Sequence, residues 1–137
     1  MLPPHLVTAL PLGFRVGFLG AIAAVTWLAT TSSPAVASVP IWDKAQHVAA
    51  FWALAFLLDY GWPAADRAFS AGQRWKWVLL VAYGVALESL QTTLDARQAD
   101  LADVVADIVG IALYLSVRRP LAWLPVLREM CRHDRTV

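Results

Sequence analysis

Four long apolar runs dominate the pattern of hydrophobic and polar positions along the chain. They cover about residues 14–31, 45–62, 75–93 and 101–117. Each is close to the roughly 20 residues that an α-helix needs to cross the hydrocarbon core of a bilayer. The strict alternation of apolar and polar residues that a barrel strand requires is absent from the sequence. The pattern predicts an all-α fold, a polytopic membrane protein whose four transmembrane helices form a small antiparallel bundle.

The segments between the runs are rich in helix breakers and polar residues. The breakers between the runs are Ser32-Ser33-Pro34, Trp62-Pro63, Ala71-Gly72 and the polar segment 95–100. Pro120 follows the last run. Apolar residues make up 59% of the chain, charged residues 15%, and the mean hydropathy is +0.57. A soluble domain usually carries about 25% charged residues. With 137 residues the chain has room for one domain, and residues 1–137 are predicted to form a single transmembrane domain. The single cysteine excludes an intrachain disulfide.

Basic residues are distributed unevenly about the runs. If the N-terminus is inside, nine of the eleven basic residues fall on the cytoplasmic side, and only Lys44 and Arg97 lie outside. Segments rich in lysine and arginine tend to stay in the cytoplasm. The distribution predicts a multi-pass protein of the cell membrane with both termini cytoplasmic.

The two ends of the chain leave alternatives open. The first run could be a retained helix or a cleaved signal peptide, because Arg15 precedes its apolar core and Ala35-Val36-Ala37 resembles a cleavage site. The cytoplasmic tail, residues 121–137, could form an amphipathic helix on the inner membrane surface, or it could be a frayed end.

Polar and ionisable residues gather at the non-cytoplasmic ends of the second, third and fourth runs. They are Asp43, Lys44, His47, Glu88, Gln91, Arg97, Asp100, Asp103 and Asp107. An ionised side chain costs about 2.5–3.5 kcal/mol near the centre of a membrane helix, so their concentration at one depth indicates a shared site. With the histidine neutral, five carboxylates face two basic residues, a net charge of −3. Such a site favours protonation, a bound cation or a cationic ligand group.

The residue types suggest separate roles. His47, Glu88 and Asp103 are the candidate catalytic residues, because an imidazole near a carboxylate can act as a general acid or base. The candidate ligand-binding residues are Asp43, Lys44, Gln91, Arg97, Asp100 and Asp107. The alternative is structural: Asp43 could cap its helix, and Glu88 with Arg97 or His47 with Asp103 could clamp the bundle.

No metal site and no cofactor are predicted. A single outer histidine and the lack of an outer cysteine disfavour zinc, while Mg²⁺ or Ca²⁺ on the carboxylates stays open. Asp59 is expected to be solvated at the cytoplasmic side, and the inner half of the bundle is expected to lack polar groups.

These residues resemble the VanZ-like family of small membrane proteins. The resemblance covers about residues 42–114 and rests on three motifs, Asp43-Lys44-x-x-His47-x-x-x-Phe51, Glu88-x-x-Gln91 and Arg97-x-x-Asp100-Leu101-x-Asp103-x-x-x-Asp107-x-x-Gly110. At Asp107 the family usually has asparagine, which can donate a hydrogen bond that an ionised aspartate cannot. The family includes a member linked to resistance to the lipoglycopeptide teicoplanin, so the resemblance implies a link to glycopeptide susceptibility but gives no reaction.

Three classes of function follow. The first is an outer-leaflet site that recognises or modifies an amphipathic envelope molecule. The second is a small proton- or cation-coupled carrier, and the third is a non-catalytic structural subunit. Whether the protein is an enzyme stays open. The expected partners are membrane lipids, an amphipathic ligand, and a second copy of the chain or another membrane protein; nothing in the sequence indicates nucleic acid.

Overall fold

The computed structural model describes residues 4–31, 40–63, 71–94, 100–121 and 123–124. Over these residues the fold consists of four α-helices, which confirms the all-α part of the prediction. The helices are α1 (Pro4–Thr31), α2 (Pro40–Gly61), α3 (Ala71–Leu94) and α4 (Leu101–Leu121). The proposed cleavage site, residues 35–37, and all of the tail beyond residue 124 lie outside the described part of the chain.

The helices extend further than the apolar runs predict. Helix α1 begins ten residues earlier and passes through Pro11, and α4 continues beyond Val117 to Leu121. Apolar runs measure the length that suits a bilayer, whereas a helix ends where its backbone hydrogen bonds end. In α4 the last turn carries Arg118 and Arg119, whose positive charges are favourable at a helix C-terminus.

Helix α2 lies at the centre of the bundle and packs against the other three helices. Its buried face, Phe51, Leu54, Ala55 and Leu58, contributes more residues to the core than any other helix. The closest packing is between α2 and α4 at Gly110, where an added Cβ would overlap the backbone oxygen of Val48 and lie 3.1 Å from the backbone nitrogen of Trp52. The absence of a side chain at this glycine therefore lets the two helices approach closely, as expected for a small-residue contact.

Many large apolar side chains lie on the surface of the described helices, and several charged side chains lie in the interior. Leu12, Val16 and Leu19 of α1 are 61–64% exposed, and large apolar residues of α3 and α4 are exposed as well. The buried charged residues are Asp59, Lys76, Glu88, Asp103, Asp107 and Arg118. Within the described residues, one stretch, Ala9–Thr31, is long and apolar enough to cross a membrane.

Candidate functional site

The antiparallel arrangement brings the start of α2, the end of α3 and the start of α4 to one end of the bundle. Eight of the nine predicted site residues lie there, and we call them the His47 cluster: Asp43, Lys44, His47, Glu88, Gln91, Asp100, Asp103 and Asp107. The ninth, Arg97, falls outside the described residues. Asp43 is in the first turn of α2 and does not cap it, because the helix begins at Pro40.

Lys44 bridges two carboxylates in the His47 cluster. Its Nζ donates to Asp100 Oδ2 at 2.8 Å and to Asp103 Oδ1 at 2.9 Å. The lysine precedes the second apolar run. The hydrogen bond to Asp100, and to a lesser degree that to Asp103, raises the pKa of Lys44 above its ordinary value. The ammonium group therefore stays charged and engaged with Asp100 and Asp103.

Asp100 organises the entry to α4. Its side-chain Oδ1 accepts from the backbone N–H of Ala102 at 2.9 Å, which is the hydrogen bond of an N-cap. Its own backbone N–H donates to Glu88 Oε1 at 2.6 Å. The carboxylate of Glu88 therefore links the end of α3 to the start of α4, a positioning contact that the sequence motifs do not reveal.

His47 pairs with Asp107, and not with Asp103 as the structural alternative expected. The distance from His47 Nδ1 to Asp107 Oδ1 is 2.9 Å, and only 3% of the Asp107 side chain is exposed. Gly84 of α3 makes room for this carboxylate, because an added Cβ there would overlap Asp107 Oδ2. The sequence contains one indication of this contact. By their spacing, Gly84, Glu88 and Gln91 share one face of α3, so the glycine faces the same side as the polar residues.

Helix α1 also contributes to this end of the bundle, which the sequence motifs did not predict. Gln91 Nε2 donates to the backbone oxygen of Ala29 at 3.2 Å. About two turns deeper on α3, the Tyr83 hydroxyl lies 2.9 Å from Thr26 Oγ1 and donates to the backbone oxygen of Ile22 at 3.2 Å. These contacts attach α1 to α3 beside the His47 cluster.

A cleft of about 400 Å³ opens between α1, α2 and α3 at this end. One end is polar and is lined by Asp43, Gln46, His47 and Gln91. The walls are mainly apolar, and their lining residues are Val25, Leu28, Ala29, Ala49, Ala50, Phe51 and Leu87. Gln46 was missing from the predicted site, although it lies one turn from Asp43 on the same side of α2. The cleft has the size of a small-ligand pocket and an amphipathic lining.

A second buried polar group, the Asp59 cluster, lies at the opposite end of the bundle and consists of Asp59, Gln73, Lys76, Tyr114 and Arg118. Asp59 accepts from the Tyr114 hydroxyl at 2.6 Å, from Arg118 Nε at 2.7 Å and from Lys76 Nζ at 3.1 Å. Arg118 also donates to Gln73 Oε1 at 2.6 Å, and Lys76 donates to the backbone oxygen of Trp62 at 2.6 Å.

The Asp59 cluster overturns two predictions. Asp59 is only 3% exposed, so it is not solvated, and this half of the bundle does contain polar groups. Lys76 and Arg118 are two of the nine basic residues that the predicted topology assigns to the cytoplasmic side, yet their side chains turn inward to the carboxylate. Because burial of an isolated charge is costly, the two cations and the anion are buried together.

The chain matches no known family model, no curated protein and no solved structure. Its function is therefore inferred from the geometry of the two clusters and the cleft.

Proposed function

We propose that this chain is a four-span, VanZ-like membrane protein whose outer-leaflet cleft recognises an amphipathic molecule of the cell envelope. The observation that carries the proposal is the form of the cleft. Its polar end would receive a headgroup, and its apolar walls would contact the attached chain. Such a division between a few polar groups and an apolar lining is common in ligand pockets.

The exposed apolar side chains support the membrane part of the proposal. Val16, Val78 and Val105 are among them, as a bilayer would favour, whereas six charged side chains of the described helices are buried. Helices α2, α3 and α4 carry those buried charges, which lowers their hydropathy relative to α1. The pairing of the charges within the bundle offsets the cost of placing them at membrane depth.

The acceptors at the polar end favour a headgroup with hydroxyl or amine donors. Asp43 lines the cleft, while Asp103 and Asp107 lie beside it, so the local charge is negative. Lys44 is engaged by two carboxylates, which disfavours a phosphate headgroup as its partner. If the bound molecule is also modified, His47 is the candidate general base, because Asp107 orients its ring and His47 faces the cleft.

One observation favours a second candidate, a proton- or cation-coupled carrier. The Asp59 cluster places ionisable groups in the half of the bundle opposite the His47 cluster, as a relay across the membrane would need. The apolar side chains of Phe51, Leu54 and Leu58 lie in the core of α2, which carries residues of both clusters. A carrier would therefore have to move this packing, and proton uptake by proteoliposomes containing the protein would distinguish it from a binding protein.

The cleft predicts selective binding of amphiphiles by the full chain in phosphatidylcholine nanodiscs. A fluorescent probe with one alkyl chain and a primary amine head should bind more tightly than its counterpart with a phosphate head. Ala49→Leu, which adds bulk to the cleft lining, should weaken amine-probe binding at least about tenfold, equivalent to roughly 1.4 kcal/mol. Asp43→Asn should reduce the preference for the amine head.

The matched control is Ala112→Leu, since this alanine of α4 is also exposed but lies outside the cleft lining. It should leave binding unchanged. Equal loss in both leucine variants, or equal binding of the two headgroups, would contradict recognition in this cleft. A deletion strain complemented with Ala49→Leu should differ in susceptibility to lipoglycopeptide antibiotics from one complemented with Ala112→Leu.

A further inference from the structure

Three potential metal-ligand side chains meet at the polar end of the cleft. Asp43, His47 and Asp103 each offer one donor atom, and these three atoms lie within 4.8 Å of one another. Asp43 and His47 are four residues apart on α2, which places them on one face, and Asp103 comes from α4. The structure therefore brings a nitrogen and an oxygen donor of α2 together with an oxygen donor of α4 that is distant in sequence.

A further contact makes His47 suited to bind a metal. Metal-binding histidines usually donate their other ring N–H to a carboxylate, which fixes the ring and makes the metal-binding nitrogen more basic. Asp107, which does not belong to the three donors, is buried and lies 2.9 Å from His47 Nδ1. With the proton held on Nδ1 by this carboxylate, the lone pair of a neutral imidazole is on Nε2.

We propose that Asp43, His47 and Asp103 bind a divalent transition-metal ion, Zn²⁺ in the first instance or Mn²⁺. Zinc sites that keep an open position use three protein ligands, and both imidazole nitrogen and carboxylate oxygen bind zinc, whereas the imidazole disfavours Mg²⁺ and Ca²⁺. A single outer histidine disfavours zinc only when nitrogen and sulfur ligands alone are counted, because carboxylate oxygens also bind zinc. Donors about 2.0–2.1 Å from a tetrahedral zinc lie roughly 3.4 Å apart, so small side-chain rotations would close the site.

The position of two donors fixes the direction of the open coordination site. Asp43 and His47 line the cleft, so a water or a hydroxyl of the bound molecule would complete the coordination from inside it. The metal would also offset the negative charge of this end of the bundle. This inference needs no amphiphile and can be tested without one.

Lys44 is the natural competitor of the metal. Its Nζ is 2.9 Å from Asp103 Oδ1, so the ammonium and a metal ion cannot share that oxygen. Lys44 has a second partner, Asp100, at 2.8 Å, which can retain the lysine when the metal takes Asp103. The lysine thus acts as a displaceable counterion of the site.

The test is calorimetric titration of the purified full chain in detergent with Zn²⁺, Mn²⁺ and Mg²⁺ at neutral pH. Wild type should bind about one equivalent of Zn²⁺ and bind Mg²⁺ far more weakly. Asp43→Asn, His47→Gln and Asp103→Asn should each weaken Zn²⁺ binding by more than the roughly 10–100-fold typical of outer-shell changes, and Asp107→Asn by an amount within that range. Lys44→Met should tighten binding roughly tenfold, because a competing positive charge is removed.

Asp100→Asn is the control, because it removes a carboxylate from the same end while asparagine keeps the N-cap. Its Zn²⁺ affinity should fall by far less than that of Asp103→Asn, because it leaves Lys44 paired with Asp103 alone but removes no metal ligand. The proposal is overturned if wild type binds no Zn²⁺, if Asp100→Asn loses as much affinity as Asp103→Asn, or if Lys44→Met fails to gain. The gain in Lys44→Met cannot arise from misfolding. A negative result here leaves the amphiphile-binding experiment untouched, since that experiment contains no metal.

Discussion

Asp59→Asn is expected to lower the free energy of unfolding by about 3–5 kcal/mol, the usual cost of removing one partner from a buried ion pair. Lys76 and Arg118 are both buried and both contact the Asp59 carboxylate, at 3.1 Å and 2.7 Å. Asparagine keeps the size of the side chain but leaves two buried cations without their anion. Unfolding of the purified protein by heat and by denaturant in one detergent measures the effect.

Asp100→Asn is again the suitable control, because this aspartate is 48% exposed and its ion pair with Lys44 is at the surface. Surface pairs contribute about 0–1 kcal/mol, so the change should be small. Arg118→Met should cost less in the Asp59→Asn background than in wild type, since the arginine has already lost its carboxylate. A loss for Asp59→Asn no larger than for Asp100→Asn would show that the Asp59 cluster does not hold the bundle together.

Gly110→Ala is expected to destabilise the protein towards the upper end of the roughly 1–3 kcal/mol typical of overpacked cores. The added methyl group would overlap the backbone oxygen of Val48, and backbone cannot rotate away as a side chain can. The helices α2 and α4 would have to separate, which would also move His47 relative to Asp107. Thermal melting in detergent measures the loss.

Gly20→Ala provides the comparison, because outside the adjacent backbone of α1 no atom lies within 4 Å of the Cβ that would be added. In a helix interior this change should be neutral or stabilise by up to about 1 kcal/mol through helix propensity. Equal melting temperatures for Gly110→Ala and Gly20→Ala would contradict the close packing of α2 on α4.

The helices and the existence of a polar cluster could be predicted from the sequence for simple reasons. Long apolar runs make helices, and short connections between them favour antiparallel neighbours. Once the helices alternate in direction, Asp43, Glu88 and Asp103 must come to the same end of the bundle. This part depends only on sequence distance and helix geometry, so it did not require knowledge of side-chain contacts.

The partner of each charge could not be predicted in this way. Asp103 and Asp107 lie one turn apart on the same face of α4, so spacing alone could not decide which of them meets His47. Which aspartate contacts His47 depends on Gly84, because the absence of a side chain there makes space for the Asp107 carboxylate. Such steric details involve three helices at once and have no counterpart in the pattern of a single helix.

The Asp59 cluster was missed for a different reason. Counting Lys76 and Arg118 towards the positive side of the protein treats every basic residue as facing the aqueous phase. A long basic side chain near the end of a helix can equally turn inward when a carboxylate on a neighbouring helix is within reach. Only the packing of α3 and α4 on α2 reveals which of these occurs.

The central claim, an outer-side cleft in a four-span membrane bundle, is tested most directly by the accessibility of three single cysteines. They replace Ala37, Ala68 and Ala96 in a background without Cys131 and are treated with a membrane-impermeant thiol reagent in intact cells. We predict labelling at positions 37 and 96 and protection at 68 until the membrane is permeabilised. Labelling at 68 without labelling at 37 and 96 would place the cleft on the cytoplasmic side, and equal labelling at all three would contradict the membrane bundle itself.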